Sequence, residues 1–248
     1  MFKNRNYKKE LLDEDDIPTL DLYQNLKELD FINTWLGGYA ISLNVLKRVL
    51  PKNQKTVLVD IGCGGGDTLK YIAHWNKKQG FDLDLVGVDL KRDCTVYAET
   101  NNPNPSIKFI TDDYRNVHNH LEKIDILHAC LFCHHLKKAQ IIELIQYAQK
   151  HKITLIINDL ERSSIAYYAI KFLTRLFSKS YLVKNDAPLS VLRGFRKKEW
   201  LRILKQSGAA RFEVRWKWAF RHHPCTPPGT TVSACANLPN EESYQRAL

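Results

Sequence analysis

Gly62, Gly64 and Gly66 stand at alternate positions behind Asp60, and glycines so spaced can do one kind of chemistry. They bare main chain to a ligand and take backbone angles that side-chain-bearing residues avoid. Val57-Leu58-Val59 before them reads as a short buried strand, and a helix is expected from Asp67-Thr68 onward. A strand that stops in a glycine-rich turn and opens a helix is a nucleotide cradle. Asp67 decides against one class of nucleotide. The dinucleotide fingerprint G-x-G-x-x-G would place its third glycine there, but a carboxylate at a helix N-terminus would face the pyrophosphate, which is electrostatically wrong.

Three further segments keep the same rhythm. Leu85-Val86-Gly87-Val88-Asp89 reads as a second strand ending in an acid, where doubly wound folds bind ribose hydroxyls. Ile107-Lys108-Phe109-Ile110-Thr111-Asp112-Asp113 reads as a third. Ile124-Asp125-Ile126-Leu127-His128-Ala129-Cys130-Leu131-Phe132-Cys133-His134-His135-Leu136 reads as a fourth strand and its exit. Taken in order over residues 55–160, these segments resemble the class I S-adenosylmethionine (SAM) methyltransferases. The glycine run is similar to their motif (V/L)-x-D-x-G-x-G-x-G, and the fourth segment to D-x-(L/V)…L-x-H-H-(L/F) of the small-molecule branch, which includes ubiquinone- and menaquinone-type enzymes and other phenol or quinol methyltransferases.

The resemblance implies SAM as cofactor, whose cationic sulfonium and amino group suit an acidic rim. It implies cofactor contacts from Asp60, Gly62, Cys63, Gly64, Gly66 and Leu131, ribose contacts from Asp89 with Leu90, and an adenine contact from Asp112, with Asp113 one register step away. Methyl transfer needs the acceptor's lone pair in line with the methyl carbon, and a phenol or enol also gains from a base near neutral pKa. His134 and His135, at the expected sheet edge, are the first candidates, His134 preferred; Asp159 and Glu161 are alternatives.

Those residues need a scaffold. The expectation is an α/β fold: a Rossmann-like, doubly wound, mostly parallel seven-stranded sheet with helices on both faces. Ile153-Thr154-Leu155-Ile156-Ile157 supplies a fifth strand ending in Asn158-Asp159. Residues 1–50 read as a helical lid broken at Gly37-Gly38, with Trp35 and Tyr39 as candidate acceptor contacts. Residues 51–220 form the core, including a cap insert at 161–195 whose Tyr167 and Tyr168 are further acceptor contacts. A helix at 196–207 is expected to bury Trp200, Leu201 and Leu204. Residues 221–248 read as an irregular tail, because prolines cannot donate to a sheet ladder. A seventh strand is then either supplied by Thr231–Ala236 or missing.

Composition narrows the remaining classes. The chain has 248 residues, enough to bury a full core as one domain. No apolar run is long enough to span a membrane, and the first residues show no signal-peptide core. The six cysteines read as reduced, which suggests a cytoplasmic protein. Cys130-Leu131-Phe132-Cys133-His134 matches a haem-attachment pattern, but covalent haem needs export, and a zinc site would need a second ligand pair at regular spacing; no metal is expected.

The net charge of +10 gathers in residues 162–221, while residues 10–30 are acidic. A basic face admits an anionic acceptor or peripheral contact with an anionic membrane surface. It also admits a purely solvating role. No nucleic-acid-binding motif appears, so a nucleic-acid partner is not favoured. The reading that results is a SAM-dependent methyltransferase acting on the oxygen or carbon of a small aromatic or lipid-like acceptor such as a phenol, quinol or polyketide. An RNA methyltransferase using the basic cap and a non-catalytic SAM-binding protein are the alternatives. A NAD-dependent oxidoreductase lacks the third glycine. Oligomeric state is open.

Overall fold

A computed structural model describes residues 2–102 and 104–226. The apolar runs become strands: β1 (Thr56–Ile61), β2 (Leu83–Asp89), β3 (Ile107–Thr111), β4 (Ile126–Cys130) and β5 (Thr154–Leu160). They pair in parallel in the spatial order β3-β2-β1-β4-β5, with Asp60 beside both Gly87 of β2 and His128 of β4. Strand order reverses between β1 and β4, and open α/β sheets bind ligands beyond the carboxyl ends of the strands at such a point. The glycine turn after β1 and the His134-His135 turn after β4 flank it.

Helices α1 (Thr19–Trp35), α2 (Gly38–Val49), α3 (Asp67–Gln79), α4 (Arg92–Asn101) and α5 (Lys138–Lys150) follow the expected pattern. Gly37 takes φ 65° and breaks the lid between α1 and α2. The lid helices start at Thr19; before them lie an extended segment and a short 3-10 turn, Leu11–Asp13. The cap is two helices, α6 (Ser164–Phe177) and α7 (Tyr181–Arg193), and α7 packs against α1. Helix α8 (Lys197–Gln206) buries Trp200, Ile203 and Leu204; Leu201 is exposed, because the helical turn carries it off the face that Trp200 fixes. Two apolar clusters form the core, one on each face of the sheet.

Two expectations are corrected. β5 runs on through Asn158 and Asp159, so both lie inside the sheet, not after it. The tail is also not irregular from residue 221: β6 (Glu213–Lys217) is followed by β7 (Arg221–Thr226), and β7 inserts antiparallel between β5 and β6. Pro224 sits in this internal strand. The ladder tolerates it because the carbonyl of Ile157 accepts a hydrogen bond from Nδ1 of the neighbouring His223 at 2.6 Å instead. Burial pushes the His223 imidazole down to a pKa of about 3, so it acts there as a neutral donor. The segment Thr231–Ala236 lies outside the described residues.

Candidate active site

The first cavity, about 490 Å³, lies over the glycine turn. Gly64 has φ 52°, and a Cβ built there would meet only Leu26, at 3.7 Å, so the turn presents open main chain to the cleft. Asp89, at the end of β2, spans the turn. One carboxylate oxygen accepts from the Gly64 amide and the other from the Lys91 amide, both at 2.9 Å. Each oxygen keeps a lone pair for a ligand hydroxyl. Burial raises the Asp89 pKa despite these bonds.

Asp67 opens α3 on the cleft wall. Burial, followed by the nearby charge of Asp30, pushes its pKa up to about 7. Neighbouring carboxylates protonate readily, even with Lys70 nearby, and a cationic ligand would relieve them. On that observation the cleft fits the sulfonium and amino charges of SAM. Tyr39 closes this side, donating to Asp30 at 2.8 Å and stacking on Tyr71.

The second cavity, about 330 Å³, lies between α1, the cap and the strand ends. Its walls are mostly aliphatic, with polar groups that include His134, His135, Glu10, Asp186, Asn33 and Arg221. Leu131, Asn33 and His135 line both cavities, so the two meet there. Nδ1 of His134 lies 2.6 Å from Asp159 Oδ1, and the His134 amide donates to Oδ2 at 2.7 Å. Asp159 is fully buried, and the imidazole and its own hydrogen bonds hold its carboxyl below the ordinary range, so it is ionised and can only accept. Nδ1 therefore carries a hydrogen, and Nε2 is the ring nitrogen on the Glu10 side. That atom is 3.8 Å from Glu10 Oε1. His135 is set the same way, with Nδ1 on Asp13 at 2.9 Å and Nε2 3.7 Å from Glu10 Oε2. Burial lifts the Glu10 pKa to about 7.

Glu10, His134 and His135 bring their ligand-type atoms within 4.8 Å of one another. Arg193 stands 3.5 Å from Glu10 Oε1 and already supplies that carboxylate with a cation. The cluster therefore suits proton handling better than metal binding.

Residues 58–152 match the family described as "Methyltransferase domain". The fold is shared with a plantazolicin methyltransferase, BpumL, solved with S-adenosylhomocysteine (TM-score 0.61, 18% identity, 86% of this chain and 89% of that one). It is shared with a SAM-dependent methyltransferase from Aquifex aeolicus (0.56, 15%, 82% and 97%). The methyltransferase domain of citrinin polyketide synthase also matches (0.53, 14%, 76% and 50%). No curated protein matches the sequence. Residues 58–152 are thus similar to a methyltransferase domain, and the fold around them is one that methyltransferases share.

The expected cofactor residues divide. Gly62, Cys63, Gly64, Asp89, Leu90, Asp112, Asp113 and Leu131 line the glycine-turn cleft. Gly66 does not; it lies against Phe109, which a Cβ would strike at 2.7 Å. Asp60 does not either. It is buried and bonded to Nδ1 of His128 at 2.7 Å; Nε2 of His128 bonds Ser42, whose oxygen accepts from Asn158. That chain of bonds fastens α2 to the sheet.

The expected acceptor contacts also move. Tyr39 faces the cofactor cleft, and Trp35 is on the outer surface. Tyr167 is buried against Phe2, and Tyr168 points outward; Ala166, Ala169, Ile170 and Leu173 of α6 line the acceptor cavity instead, because the helix turns its small and aliphatic stripe inward. Asp159 lines neither cavity and acts by holding His134. Glu161 accepts from Trp216 at 2.8 Å, away from both cavities. Glu10, Asp13, Asn33 and Arg221 carried no sequence signal beyond charge, since each reaches the site from a segment remote in the chain.

Proposed function

We propose that this chain transfers the methyl group of SAM to an oxygen or carbon of a small, largely apolar acceptor, a phenol, quinol or enolic polyketide, held in the 330 Å³ cavity. The observation that carries the reading is the His134–Asp159 pair in the wall of an aliphatic cavity that meets the cofactor cleft at Leu131. SAM supplies an activated methyl group and a neutral thioether leaving group. The residues supply the rest. The cavity walls exclude water and hold the acceptor against the shared wall. Nε2 of His134 takes the acceptor's proton as its oxygen or carbon bonds the methyl carbon, and Asp159 stabilises the imidazolium that forms. Arg221 offers a charge to an acidic oxygen of the acceptor.

Calorimetry with SAM tests the cofactor half. Asp89→Ala removes both ribose acceptors and should weaken SAM by about 10²-fold, the worth of two hydrogen bonds to a charged group. Unchanged affinity would remove Asp89 from the site. Transfer of labelled methyl groups to phenols, quinols and enolic lactones tests the acceptor half.

Asp67 gives a pH signature. Its proton must leave for the carboxylate to face a cation, so SAM affinity should rise as pH is raised through about 7, with protons released on binding. Asp67→Asn should flatten that rise. The ligand-free protein should show the opposite sign: a raised carboxyl pKa favours the folded state at low pH, and this contribution is lost between about pH 4 and pH 7.

A further inference from the structure

Helix α6 buries only Tyr167 and Thr174. Ile165, Tyr168, Phe172 and Leu176 recur at three- and four-residue steps on its outward side, and Phe172 is 63% exposed. At the end of the helix Phe177 is 74% exposed, and across a groove Trp35 of α1 is 79% exposed, packed beside Phe31. A free surface of this kind is costly in water, and scattered exposed apolar residues do not explain a contiguous patch. The flank of the patch is basic. Lys171, Arg175, Lys179 and Lys184 follow one another, and no acidic residue occurs from Ser164 to Asn185. Glu28 of α1, in the groove wall, is taken up by the hydroxyl of Ser178 and the amides of Lys179 and Ser180.

The groove between α1 and α6, about 470 Å³, leads inward. Its walls share Ile32, Leu36, Ile170 and Leu173 with the acceptor cavity. Among the described residues no helix is long and apolar enough to cross a membrane. An amphipathic helix of this composition instead lies in the plane of a bilayer interface, its aromatic face among the acyl chains and its bases at anionic headgroups.

We propose that the outer face of α6 and the end of α1 seat this protein on an anionic bilayer surface, and that the groove admits a lipid-soluble acceptor directly from it. The second clause rests on the proposed function; the first does not.

The test is flotation of the full chain with vesicles of phosphatidylcholine alone and of phosphatidylcholine mixed with phosphatidylglycerol. Capture by the mixed vesicles, weakened by salt, is expected. Phe172→Glu and, separately, Trp35→Ser should each lower the bound fraction about tenfold, and Arg175→Glu with Lys179→Glu should abolish the preference for anionic lipid. None of these residues lines the cofactor cleft, so SAM affinity should be unchanged and reports that each variant is folded. No capture by either vesicle, or capture that Phe172→Glu leaves intact, overturns the proposal. So does a dimer in vesicle-free buffer that Phe172→Glu dissolves, which would give the face to a second copy of the chain. Vesicle capture without SAM binding would instead count against the proposed function alone.

Discussion

His134→Ala is expected to lower kcat by about 10²- to 10⁴-fold, the range for losing a positioned base, while SAM affinity stays within a few-fold. The imidazole lines the acceptor cavity and not the cofactor cleft, so the two effects separate. A structural role would depress both. Acceptor acidity provides a second discrimination. An acceptor already ionised at the assay pH has no proton to give, so its rate should fall far less than that of a weakly acidic one, and the variant's residual rate should climb with pH.

Asp159→Asn should cost a similar factor by a different route. Asp159 accepts from the His134 amide on one oxygen and from His134 Nδ1 and the Leu160 amide on the other. An asparagine must turn its NH₂ toward one of these donors, which either inverts the His134 tautomer or leaves a buried amide unpaired. Equal losses for ionised and un-ionised acceptors in both variants would sink the role of His134 as base.

Arg221→Met should lower affinity for an acidic acceptor by about 10²- to 10³-fold, the scale of breaking a buried ion pair. Arg221 is 2% exposed in the acceptor cavity wall, and its Nε has no hydrogen-bond partner. Its terminal nitrogens reach only amide oxygens, of Asn33 at 2.6 Å and Asn158 at 3.4 Å. Among the described residues it makes no ion pair, and a buried cation without an anion is unfavourable. The missing charge fits a ligand oxygen. Methionine keeps much of the volume and removes the charge, so the ligand-free variant should melt no lower than the parent. Esterified or otherwise neutral acceptors should lose little. If SAM affinity falls instead of acceptor affinity, the guanidinium holds the cofactor's carboxylate. If neither falls, Arg221 is only a strut between α1, β5 and β7.

The legibility of this chain was uneven, and particular residues show why. The cradle from Val57 to Gly66, the acid at Asp89 and the turn at His134 could be read because each is a local pattern: apolar residues, then a backbone turn, then a helix start within a dozen positions. The break at Gly37 was legible for the same reason. β7 was not. Pro224 argued correctly against a ladder hydrogen bond, but the replacement donor is the side chain of His223, a compensation that exists only once β5 lies alongside. Asp60 was read as a cofactor residue because it is the acid of the motif; its partner, His128, is on another strand, and only sheet register puts the two side by side. Trp35, Tyr167 and Tyr168 were chosen by residue type, but which side of a helix faces a cavity is set by what that helix packs against.

The sequence alone therefore determined the run of strands and the position of the glycine cradle, since these follow from periodicity and spacing along the chain; the methyltransferase reading came from the resemblance of its motifs. The tertiary structure alone decided which residues meet in the acceptor cavity: Glu10 from the N-terminal segment, Asn33 from the lid, His134 from the β4 exit and Arg221 from the last strand. The first and last of these stand more than two hundred residues apart, and their proximity is fixed by how the layers pack, which leaves no periodic trace in the order of amino acids.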